Sequence, residues 1–123
     1  MTEPTVLVAD DEDTVRHIVQ RMLQTSGFSL LEARDGREAL QMVQQREQPP
    51  DLILADVIMP LLNGWELVDK IRIRCPEQRF LLMSAYALDD LRHRGLYPVE
   101  VPFVQKPFTL DRLVAAVHSA LEP

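Results

Sequence analysis

The 123-residue chain carries 19 acidic against 13 basic residues, a formal charge of −6, and is 46% hydrophobic. That length fits one domain with one core, and the acidic balance argues against a nucleic-acid or anionic-membrane surface, which needs clustered Lys and Arg. No apolar stretch approaches the roughly 20 residues that span a bilayer, and Met1-Thr2-Glu3-Pro4 lacks the regions of a signal peptide. Cys75 is the only cysteine, which rules out an internal disulfide and a thiolate metal site. A cytoplasmic chain is expected, its free thiol suited to a reducing compartment.

Thr5-Val6-Leu7-Val8-Ala9 predicts a short strand, followed by the acidic loop Asp10-Asp11-Glu12-Asp13. Val15, Ile18, Val19, Met22 and Leu23 then fall at the spacing of a helix with one side toward the core, capped by Asp13 or Thr14 and stopped by Gly27. Phe28 to Ala33 predicts a second strand and Asp35-Gly36 a turn. Arg37 to Arg46 predicts a second helix with Ala39, Leu40 and Val43 inward, and Pro49-Pro50 forbids its continuation. The apolar run from Leu52 suits a strand covered on both faces, and it delivers Asp56 to an exposed rim before Met59-Pro60.

After the turn signal Asn63-Gly64, Trp65 to Arg74 reads as a third helix, with Cys75 a bystander at its end. Arg79 to Ala85 repeats the central strand and ends in a small polar residue, Ser84. A short helix over Leu88 to Arg94 ends at Gly95, and Pro98 and Pro102 break the stretch that follows. Phe103-Val104-Gln105 is a brief strand, and Thr109 opens a last helix bearing Leu110, Leu113, Val114, Val117 and Leu121.

Five alternations with short connections define an α/β fold, a doubly wound parallel sheet of five strands with about five helices. In such sheets ligands sit outside the carboxyl ends of the strands. Asp10, Asp11, Asp56, Ser84 and Lys106 therefore share one rim. Three crowded carboxylates repel one another unless a cation is bound, and oxygen-only ligands suit Mg2+. His17, His93 and His118 all fall on predicted helices, away from the strand ends, which disfavours zinc.

With a metal held by some of the acids, one carboxylate can attack a phosphoryl group while a Lys and a hydroxyl hold its oxygens. Taken singly, these residues also suit plainer roles: Asp11 and Asp13 as helix caps, Ser84 as a turn hydroxyl, Lys106 as a solvated charge. Jointly, five complementary groups on one rim favour the chemical reading.

The ordered set Asp10-Asp11, Asp56 with Met59-Pro60 and Gly64, Ser84-Ala85, and Lys106-Pro107-Phe108 resembles a response-regulator receiver domain of two-component signalling, a flavodoxin-like (βα)5 fold. The match covers nearly the whole chain, with 45 residues from Asp11 to Asp56, 28 more to Ser84 and 22 more to Lys106. The resemblance implies that Asp56 takes a phosphoryl group from the phosphohistidine of a histidine kinase or histidine phosphotransfer protein. It implies that Asp11, Asp56 and the Ile58 carbonyl bind Mg2+ directly, with Asp10 assisting largely through water. Ser84 and Lys106 would hold the phosphoryl oxygens, and Phe103 would be the aromatic switch that turns inward when Ser84 moves. The resemblance also implies a cis bond between Lys106 and Pro107. Ile58, Ala85, Tyr86 and Pro107 flank the site, and the bulk of Ile58 and Tyr86 is expected to slow hydrolysis of the acyl phosphate. Pro102 to Phe108 more resembles receivers attached to hybrid sensor kinases.

Two other readings compete. A Mg2+-dependent phosphatase with an aspartyl nucleophile usually wants a second Asp two residues on, where this chain has Ile58. A degenerate receiver that only binds protein is disfavoured because every acid, Ser84 and Lys106 are present. Residues 1–123 are expected to form a single receiver domain with no output domain, a monomer or weak dimer that turns over no free substrate.

Overall fold

The structure, a computed structural model, describes residues 3–122. Met1, Thr2 and Pro123, which the sequence reading included in the domain, lie outside the described residues. Strands β1 (Thr5–Ala9), β2 (Ser29–Ala33), β3 (Leu52–Asp56), β4 (Phe80–Ser84) and β5 (Phe103–Gln105) form one sheet. Its order is β2-β1-β3-β4-β5, with every neighbouring pair parallel. Helices α1 (Asp13–Gln24), α2 (Gly36–Gln45), α3 (Gly64–Arg74), α4 (Leu88–His93) and α5 (Leu110–Leu121) connect and close them.

The alternation of side chains along each strand splits the core in two. Leu7, Ile53, Ala55, Phe80 and Leu82 pack on one face against Ala39 and Val43 of α2, Leu67, Val68 and Ile71 of α3, and Leu91 of α4. Val6, Val8, Leu54, Leu81 and Met83 pack on the other against Val19 and Leu23 of α1 and Leu113 and Val117 of α5. With both faces covered, β3 and β4 are buried at every residue, which is why their sequences read as unbroken apolar runs.

Local signals set the element ends. The Asp35 side chain caps α2 by accepting from the Glu38 amide, Asn63 and Glu66 form a capping box at α3, and the Thr109 hydroxyl accepts from the Arg112 amide at α5. Gly27 and Gly95 take positive φ after α1 and α4. Three expectations are corrected. The N-cap of α1 is Glu12 instead of Asp13 or Thr14, because the Asp10 carboxylate accepts from the Glu12 amide and closes the loop one residue earlier.

The inward side of α1 is Arg16, Val19 and Leu23, so the helix is turned relative to the expected stripe and Ile18 stays 50% exposed. Leu110 sits in the first turn of α5, ahead of the buried series Leu113, Val117 and Ala120, and is 43% exposed.

Candidate functional site

The strand order reverses between β1 and β3, and ligand crevices of doubly wound sheets open at that point. The register pairs Ala9 with Ala55, so the next residues along, Asp10 and Asp56, leave the sheet side by side. Ser84 ends β4, and Lys106 follows β5 with its amide donating to the Ser84 carbonyl at 2.8 Å. The sheet thus brings four of the five predicted rim residues, Asp11, Asp56, Ser84 and Lys106, to one cleft of about 470 Å³ walled by Ile58, Ala85 and Tyr86, while Asp10 lies buried beneath it against Lys106. His17, His93 and His118 are exposed and lie elsewhere.

Lys106 is the hub of the cleft. Its Nζ donates to Asp56 Oδ2 at 2.7 Å and to Asp10 Oδ2 at 3.2 Å. Burial pushes the Asp56 carboxyl above the usual range, and the bond and charge of Lys106 offset this only in part. Burial also works against the Lys106 ammonium, yet Asp56 and Asp10 together hold its pKa above the ordinary value. The amine is therefore a fixed cation.

Asp10 is fully buried and Asp11 exposed. Carboxylate oxygens of Asp10, Asp11 and Asp56 all lie within 4.8 Å of one another, three acids against one amine. This all-oxygen, net-negative set fits a hard divalent cation. Ser84 is buried, and its Oγ accepts from the Tyr86 amide at 3.1 Å, which leaves the hydroxyl proton to donate into the cleft.

Gly64 opens α3 directly beneath Asp56. A Cβ there would lie 2.5 Å from the Asp56 carbonyl oxygen, a contact that only glycine avoids. The Lys106–Pro107 bond is cis, matching the sequence expectation. Phe103 is half-buried, its ring edge-on to that of Tyr97 at 5.7 Å. Tyr97 escaped sequence reasoning because it stands among residues broken by Pro98 and Pro102. Arg16, buried behind the acidic loop, was also missed, although its spacing from Asp13 is that of a helical ion pair.

Five parallel strands carrying acids, a hydroxyl and an amine on one carboxyl-end rim define a receiver domain of a two-component system. The family profile described as "Response regulator receiver domain" matches residues 6–118, and the chain belongs to that family. It is 35% identical over 118 residues to the sensor kinase CckA of Brucella abortus, a match covering 96% of this chain and 12% of the kinase. It is 37% identical over 121 residues to the transcriptional regulatory protein PrrA of Mycobacterium tuberculosis, covering 98% of this chain and 51% of that protein. The chain thus spans about half of one relative and a small part of the other.

Among solved structures, the chemotaxis response regulator CheY4 of Vibrio cholerae superposes with a TM-score of 0.85 at 28% identity, covering 97% of this chain and 99% of that one. The receiver domain of the hybrid histidine kinase CckA gives 0.78 at 31% identity, covering 96% and 99%. The phosphatase and binding-module readings are not favoured beside these matches.

Proposed function

We propose that Asp56 is the phosphoacceptor of this receiver. The observation that carries the reading is Lys106 Nζ at 2.7 Å from Asp56 Oδ2, beside Ser84 and inside a cluster of acids. A carboxylate oxygen of Asp56 attacks the phosphorus of a phosphohistidine, and the phosphorus–nitrogen bond to the donor imidazole breaks as the phosphorus–oxygen bond forms. Lys106, no longer opposite a free carboxylate, pairs with a phosphoryl oxygen, and Ser84 donates its hydroxyl proton to another.

Asp11, Asp56 and the Ile58 carbonyl would hold Mg2+, with Asp10 assisting; the ion, when bound, neutralises charge on the phosphoryl oxygens. Positioning and electrostatics supply the catalysis, so the chain turns over only its own aspartyl phosphate.

The donor is a histidine kinase or a histidine phosphotransfer protein, and residues 1–123 act as one receiver unit in the cytoplasm. Movement of Ser84 toward the phosphoryl group vacates space for Phe103 to turn inward, which changes the docking surface near α4 and β5. Ile58 and Tyr86 stand at the cleft mouth, 42% and 49% exposed, and shield the acyl phosphate from water. Ile58→Asn and Tyr86→Ala should each shorten its lifetime, and unchanged lifetimes would remove the shielding role.

Mg2+ binds the folded site and not the unfolded chain, so the ion should raise Tm by mass action. In Asp11→Ala the rise should vanish. A mutant that responds like the wild type contradicts the metal assignment.

A further inference from the structure

Arg16 has no part in the chemistry above, yet it is one of the most fully committed side chains in the protein. It is 4% exposed, and each of its three guanidinium nitrogens meets an acceptor. Nη1 donates to the Asp10 carbonyl oxygen at 2.9 Å, Nη2 to Asp13 Oδ1 at 2.6 Å, and Nε to Glu32 Oε2 at 3.2 Å. The acceptors lie at the carboxyl end of β1, in the first turn of α1 and on β2. A helical side chain facing the sheet would ordinarily be apolar, and Val19 and Leu23 on the same side are.

The contact to Asp10 is the one that bears on the site. The Asp10 carbonyl belongs to the rigid peptide plane that leads to Asp11, so pinning its oxygen fixes the direction in which Asp11 leaves the strand. The rest of Asp10 is pinned as well: its amide donates to the Ala33 carbonyl at 3.2 Å, Oδ1 accepts from the Glu12 amide at 2.9 Å, and Oδ2 accepts from Lys106. Arg16 holds the one polar atom of Asp10 that the other three contacts leave free. Its buried charge also offsets the mutual repulsion of Asp10, Asp11, Glu12 and Asp13. A lysine would supply the charge but not the planar fork that serves three acceptors at once.

We propose that Arg16 is a positioning residue, a clamp that holds the loop between β1 and α1 in the shape that presents Asp10 and Asp11 to a divalent cation. The proposal rests on the metal reading given above. The competing role is a plain tether of α1 to β2, which would affect stability alone.

Titration with magnesium chloride, followed through backbone amide shifts well below Tm, separates the two. The proteins compared are wild type, Arg16→Met, Arg16→Lys and Val117→Ala, the last a core truncation in α5 remote from the cleft. Arg16→Met should raise the Mg2+ dissociation constant at least tenfold, while Val117→Ala stays within twofold of wild type. Should Arg16→Met fail to fold, Arg16→Lys carries the test, with at least a threefold rise expected. Wild-type affinity in the Arg16 variants, or an equal loss in Val117→Ala, overturns the clamp.

A wild-type protein that ignores Mg2+ overturns the metal reading instead. The clamp is then judged by hydrogen exchange of the Glu12 amide, which donates to Asp10 Oδ1. That exchange should be at least tenfold faster in the Arg16 variants than in Val117→Ala. An equal rate in the two overturns the clamp.

Discussion

At the carboxyl ends of β1, β3 and β5 charged groups hold one another: Lys106 reaches both Asp56 and Asp10, and Arg16 secures the loop behind them. Between α4 and β5 the one buried side chain is Tyr97, with Leu96, Val99 and Val101 partly buried against the core around it. Tyr97 is buried, its hydroxyl 2.8 Å from the Val101 carbonyl and 3.1 Å from that of Pro102, with its ring against Phe103 and the Arg92 guanidinium over it. A network of charges responds when its charge balance changes, as it would on phosphorylation of Asp56. A segment held by apolar packing around one buried ring responds when that ring's neighbour moves. Under the proposed function the first region would serve the chemistry and the second the readout, with Phe103 between them on β5.

The sharpest way to break this contrast is at Tyr97. Tyr97→Ala removes the buried ring and both hydroxyl hydrogen bonds and should cost about 3–5 kcal/mol, measured by denaturant unfolding. At the rim the corresponding change is Gly64→Ala, which forces a Cβ against the Asp56 carbonyl. It should cost about 2–3 kcal/mol and also abolish phosphoryl acceptance, which a purely structural defect of that size would leave intact in the folded fraction. Smaller still is Tyr97→Phe, which keeps the ring and leaves the two carbonyls without their donor, at about 1 kcal/mol.

The same hydroxyl gives a pH dependence. Burial holds Tyr97 protonated well above the ordinary tyrosine range. A raised folded pKa contributes stability that is full below the unfolded value near 10 and is lost as pH climbs toward the folded one. Unfolding free energy should therefore decline from about pH 10 upward, and Tyr97→Phe should flatten that decline. An unchanged slope in the variant would remove Tyr97 as its source.

The sequence was most readable where covalent spacing and burial speak together. The runs around Leu7, Leu54 and Leu82 were recognisable as strands because both their faces are covered, and the parallel topology then forced Asp10, Asp56, Ser84 and Lys106 onto one rim. What stayed hidden depends on contacts between distant segments. Arg16 reads as a hydrophilic helix residue until Glu32 and the Asp10 carbonyl are placed around it. Tyr97 reads as loop until Phe103 is folded against it. Ile18 and Leu110 match the apolar spacing of their helices, and only the turn of α1 and the position of Leu110 in the first turn of α5 leave them in solvent.

The central claim is that Asp56 carries the phosphoryl group. Intact mass after incubation with acetyl phosphate and magnesium, for wild type and Asp56→Asn side by side, tests it most directly. Wild type should gain one phosphoryl adduct that disappears when magnesium is withheld, and Asp56→Asn should gain none. An equal adduct on both proteins, or none on wild type under any condition, would contradict the assignment.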